Sequence, residues 1–120
     1  MVERGIKMVS IKNVDDIEGI NLEEGVKNIE KKVLVGKEDG APNFITRLFT
    51  IGPNGFSEHH THDWEHEVFI LNGEGILKSE NKDCKISEGD CIYIPPNEEH
   101  QIQNPHNRDL KFICIIPVLD

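Results

Sequence analysis

GFSEHHTHDWEHEVFILNGEG, residues 55–75, decides how this chain is read. It carries His59, His60, His62 and His66, four of the six histidines. Side chains two apart on an extended strand share a face. His60 and His62 therefore point one way, and His59 and Thr61 the other. Imidazole nitrogen binds zinc, manganese, iron and nickel, so two imidazoles on one face can begin a metal site. The pattern predicts strands at residues 59–62 and 66–71, with a short turn at Asp63-Trp64. Beyond that turn His66 and Glu67 are adjacent, and only one of them can face inward. His66 would take Val68 and Ile70 with it; Glu67 would take Phe69 and Leu71. Both sets are apolar, so burial leaves the third ligand open.

Working outward, residues 89–104, GDCIYIPPNEEHQIQN, form a second patterned stretch. Pro95-Pro96 must end the strand at 91–94, and the bend delivers His100 at the start of another at 100–103. Further strands are expected at 31–36, 44–51, 75–80, 84–87 and 110–116, where β-branched and aromatic residues gather. Turn chemistry separates them: Asp39-Gly40, residues 52–55, Asn81-Lys82-Asp83, Glu88-Gly89-Asp90 and residues 104–109. Asn72-Gly73 predicts a hairpin that returns 75–80 antiparallel to 66–71. Residues 1–12 alternate loosely and suggest an edge strand. Residues 15–30 hold Gly19 and Gly25, which disfavour a long helix; turns with short strands, or a loop over one barrel end, are expected. The total is nine or ten short strands, the spacing of an all-β sandwich or barrel.

A chain of 120 residues bounds the answer to one domain. Its net charge of −9 argues against nucleic acid or an anionic membrane as a partner. No apolar run approaches the roughly 20 residues of a bilayer span. The first residues lack the apolar stretch of a secretion signal. Cys84, Cys91 and Cys114 have no CxxC spacing and read as free thiols in a reducing, cytoplasmic setting. The longest apolar run, residues 112–116, reads as a buried strand, with Phe112, Cys114 and Ile116 on one face. Arg47, set in an otherwise apolar strand, is a candidate to bind a substrate carboxylate bidentately. Trp64, beside the histidines, is a candidate cavity wall. Glu65, Glu67, Glu98 and Glu99 read as solvated, or as acceptors for imidazole N–H.

The two patterned stretches resemble the motifs of the cupin superfamily, G(X)5HXH(X)3–4E(X)6G and G(X)5PXG(X)2H(X)3N. The second fits Gly89, Pro95, His100 and Asn104, with Asn97 in place of the usual glycine. The first fits His60, His62 and Gly73, with Gly55 one residue nearer than usual. Counting back from Gly73 puts His66 where most cupins carry glutamate. HTHDWEHEVFILNGEG, PPNEEH and FICIIP together resemble small single-domain cupins with four histidine ligands. The likeness spans about residues 31–117.

The resemblance implies a double-stranded β-helix, a jelly-roll-like antiparallel barrel over residues 31–120. Residues 1–30 become an extension packing on the barrel or on a dimer partner. It implies one divalent ion per chain on His60, His62, His66 and His100, with manganese first and iron, nickel or zinc as alternatives. It further implies a homodimer, and a pocket lined by Phe112, Cys114 and Ile116 near the metal. Four neutral imidazoles leave the ion its full +2 charge, which lowers the pKa of bound water and raises the redox potential. The expected function is a dioxygenase-like oxidoreductase acting on a small organic molecule, with Arg47 and Cys114 as catalytic candidates and Trp64, Phe112 and Ile116 around the substrate. The alternatives are a metal-dependent isomerase or lyase, with Glu67 as a candidate base, and a non-catalytic small-molecule or sugar-binding module.

Overall fold

A computed structural model of the chain describes residues 9–80 and 82–119. Among them are nine strands: β1 (Ile20–Leu22), β2 (Lys27–Val35), β3 (Phe44–Phe56), β4 (His66–Asn72), β5 (Glu74–Ser79), β6 (Asp83–Ser87), β7 (Cys91–Ile94), β8 (His100–Gln103) and β9 (Leu110–Pro117). The only helical pieces described are two three-residue 3-10 turns, Val14–Asp16 and Lys37–Asp39. All pairings are antiparallel, in the order β6-β5-β8-β3-β9-β4-β7, with β2 on β3 and β1 on β2. The sheet curls into an all-β barrel. No described helix is long and apolar enough to cross a membrane.

β3 is the seam. Residues 44–51 pair with β9, while Phe56 pairs with Gln103 of β8. The turn expected at residues 52–55 does not end the strand. Lys27 lies opposite Phe56 and Ile29 opposite Ile51, so these four residues bulge out and the strand resumes beyond them. A bulge of this kind bends a strand sharply. Asn28 and Asn54 take positive φ there, and the Asn28 amide donates to the Pro53 carbonyl at 3.2 Å.

Two other expectations are corrected. Asn72-Gly73 is not a hairpin, because β4 pairs with β7 and β9 while β5 pairs with β6 and β8. The chain instead passes at Gly73 from the β9-β4-β7 side of the curled sheet to the β6-β5-β8 side. That residue has φ +92°, and a Cβ on it would collide with the Asp109 carbonyl oxygen. Residues 59–62 do not form a strand; only His60 pairs, opposite His100. The partner β8 begins at His100, preceded by the Pro95-Pro96 turn, so no ladder remains beyond it. The edge strand expected at residues 1–12 falls mostly outside the described residues, and residues 9–12 carry no strand.

The inner faces alternate as the strand period requires. β4 turns His66, Val68 and Ile70 inward, and β9 turns Leu110, Phe112, Cys114 and Ile116 inward. Ile51, Ile70 and Leu110 are fully enclosed. His66 and His100 open β4 and β8, so the apolar filling gives way to imidazole at one end of the barrel. Asn104 is also fully enclosed. Its amide donates to the carbonyls of Ile51 (2.9 Å) and Arg108 (2.7 Å), and its oxygen accepts from His106 N–H at 3.1 Å. It ties the β3 bend to the loop before β9, a structural role.

Candidate metal centre

His60, His62, His66 and His100 each aim one ring nitrogen at a common point, and the four atoms lie within 4.8 Å of one another. Backbone contacts place them. His60 and His100 exchange main-chain hydrogen bonds at 3.2 and 3.1 Å, and Asn97 N–H donates to the His62 carbonyl. Asn97 sits at φ +69°, the left-handed region that the motif's usual glycine serves. Asparagine is among the few other residues that tolerate it. The ring of Trp64 stacks on His62, centroids 4.2 Å apart and 10° from parallel.

Partners on the far side of the rings fix which nitrogen carries the proton. His100 Nδ1–H donates to the Glu98 carbonyl oxygen at 2.9 Å, and His60 Nδ1 faces the Glu58 carboxylate at 3.3 Å. His66 Nδ1 faces the Cys114 sulfur at 3.3 Å. Carbonyls and carboxylates only accept, so Nε2 of His60 and His100 carries a lone pair. Those two Nε2 atoms are 3.2 Å apart, and His62 Nε2 is 3.0 Å from that of His60. His66 Nε2 is buried with no partner. Lone pairs at this spacing repel unless a cation lies among them. With metal–nitrogen bonds of about 2.1 Å, neighbouring donors at right angles stand about 3.0 Å apart. The donor set suits a divalent ion.

Burial favours the neutral form of His62, His66 and His100. It pushes His66 down to about 3, aided by the neighbouring His100 and by Arg47. Burial also lowers His62 and His100, each with a further push from His60. Neutral imidazole is the form that binds metal.

The cluster opens on a cavity of about 450 Å³ that Arg47, Trp64, Phe112, Cys114 and Ile116 all line. Phe49 stacks on Phe112 at 5.3 Å, and Arg47 lies 4.9 Å over the Phe49 ring. Arg47 Nη2 donates to the Cys114 sulfur at 3.0 Å, while its Nε is buried without a partner. Burial raises the Cys114 thiol, and Arg47 pulls it back only in part. Glu67 points outward and is exposed, as is Glu65. His59 and His106 lie outside the cluster, facing Glu99 (3.5 Å) and Glu74 (3.8 Å). Sequence reading missed Glu58, Phe49 and Lys31, which also line the cavity. Strand parity with Arg47 and Ile51 is the signal that would have found Phe49. Lys31 pairs directly with Phe49 across β2 and β3.

A family model described as Cupin domain matches residues 47–116, more than half of the chain. The chain belongs to the cupin family. This cupin is 34% identical over 103 residues to the oxalate-binding protein of Thermotoga maritima, covering 82% of this chain and 84% of that one. It is 25% identical over 114 residues to the acireductone dioxygenase of Tuber melanosporum, covering 91% of this chain and 62% of that enzyme. Among solved structures, it is similar to the polyketide cyclase RemF from Streptomyces resistomycificus, at TM-score 0.87 and 28% identity over 93% of this chain and 81% of that one.

Proposed function

We propose that this cupin is a mononuclear metal protein whose cavity takes a small organic carboxylate. His60, His62, His66 and His100 hold one divalent ion, manganese first, with iron, nickel or zinc as alternatives. The observation that carries the reading is the convergence of imidazole nitrogens around the buried, unpartnered His66 Nε2. Such an ion supplies Lewis acidity and, as manganese or iron, one-electron chemistry. The chain's own residues do the rest. Arg47 binds the anionic end of the molecule, and its charge is strengthened by the apolar surroundings of Phe49 and Phe112. Trp64 and Ile116 wall the cavity and keep water from the centre.

The reaction class we favour is a dioxygenase-like oxidation. It is supported by four neutral ligands, which leave the ion its full charge. A non-catalytic role is the second reading, motivated by the likeness to an oxalate-binding protein. An isomerase or lyase needs a positioned base, and the outward-facing Glu67 does not supply one. The test uses oxalate. Calorimetric titration of the metal-loaded protein should show one site per chain, with affinity lost about tenfold or more in Arg47→Met. Oxalate that binds neither form, or binds both equally, overturns the carboxylate reading. Oxygen uptake during turnover separates the dioxygenase-like reading from the binding one.

We also propose a homodimer in the cytoplasm. The dimer is supported by an apolar outer face: Phe69, Leu71, Tyr93 and Phe44 are exposed. The compartment is supported by three free thiols. Neither nucleic acid nor membrane suits a surface of this charge. Of the extension proposed over residues 1–30, residues 1–8 lie outside the described residues, and Leu22, Glu23, Glu24 and Val26 line the cavity.

A further inference from the structure

Cys114 sits mid-way along β9 with its side chain inward and almost wholly buried. Two nitrogens from different strands converge on its sulfur: His66 Nδ1 of β4 at 3.3 Å and Arg47 Nη2 of β3 at 3.0 Å. The sheet register sets up both contacts. Arg47 lies directly opposite Cys114 on one side, and Val68 on the other, with His66 two residues along on the same face. His60 and His100 lean on oxygen, a carboxylate and a carbonyl. Only His66 of these three leans on sulfur, and it shares that sulfur with the guanidinium that faces the cavity.

We infer that Cys114 is a positioning residue that holds His66 in its metal-facing tautomer and couples that ring to Arg47. The inference rests on the metal-centre reading above. A thiol sulfur is a weak acceptor, so two donors compete for it. An anion in the cavity that draws Arg47 away leaves the sulfur wholly to His66. The Nδ1–H bond then tightens and Nε2 becomes the better donor, as outer partners of ligating histidines do elsewhere. Coupling of this kind is reciprocal, so the cavity's ligand and the ion hold each other more firmly.

The experiment is a titration with cobalt(II) alone, read by chelator competition and by the visible ligand-field bands. Cys114→Val removes the acceptor at nearly constant volume and should weaken cobalt about tenfold to a hundredfold and shift the bands, while Cys114→Ser stays within about threefold of wild type. Arg47→Met should tighten cobalt with Cys114 present and have a smaller effect in Cys114→Val, a non-additivity that simple charge removal does not give. Wild type that binds no cobalt overturns both this inference and the metal-centre reading. Wild type that binds while Cys114→Val binds equally overturns the sulfur's role and leaves the centre standing. Equal Arg47→Met effects in both backgrounds overturn the coupling. If Cys114→Val does not fold, zinc-loaded Cys114→Ser answers by ring nitrogen NMR. The His66 Nδ1–H signal should move while those of His60 and His100 stay; an unmoved His66 signal overturns the inference.

Discussion

At the scale of the residue, one ring orientation separates this centre from an ordinary barrel end. His66 faces inward with Val68 and Ile70, and Glu67 faces out with Phe69 and Leu71. A buried neutral histidine has a pH consequence with a definite sign. In the unfolded chain the ring takes a proton near 6.5, whereas in the folded, metal-free protein burial delays it to about 3. The unfolded state therefore binds more protons across that interval. Stability of the metal-free protein should be level above pH 6.5 and fall as pH drops from there toward 3. Urea unfolding of the apo form at several pH values checks this, with His66→Gln expected to show a shallower fall. An equal slope in the variant would mean that His66 is not buried neutral. The choice between His66 and Glu67 was not legible from burial, because both alternatives carried apolar followers. It was legible only from a motif count.

At the scale of the element, most strands were readable because alternation and turn residues are local signals. The failures share a cause. Asn72-Gly73 has hairpin chemistry, yet the strands on either side of it pair with β7 and β9 and with β6 and β8, far away in sequence. Residues 59–62 have strand chemistry, yet the partner ladder stops at His100. Residues 52–55 have turn chemistry, yet pairing on both sides carries the strand through them as a bulge. Pairing is a non-local fact that no window of sequence holds. Gly73 and Gly89 offer a controlled comparison, since both have φ +92° but only Gly73 is crowded. Gly89→Ala should cost the backbone term alone, about 1 kcal/mol. Gly73→Ala should cost about 2 kcal/mol or more, because the carbonyl must also move. Urea midpoints measure both; equal losses would refute the crossing role assigned to Gly73.

At the scale of the molecule, the imidazole end of the barrel opens on the cavity, and the outer face carries exposed apolar side chains. The register lays Leu48, Ile113, Phe69 and Cys91 in one row across β3, β9, β4 and β7. A patch of this kind on a monomer marks an interaction surface. Sedimentation should give twice the chain mass for wild type and the single chain mass for Phe69→Glu, with metal content retained. A monomeric wild type would remove the dimer. The centre proposed for this cupin is one ion gathered by imidazoles from two distant stretches of chain. Its most direct test is elemental analysis of wild type, His66→Ala and Glu67→Ala purified from the same manganese-supplemented medium. Wild type and Glu67→Ala should each hold one ion per chain, and His66→Ala far less than one. No ion in wild type, or the same loss in both variants, would contradict it.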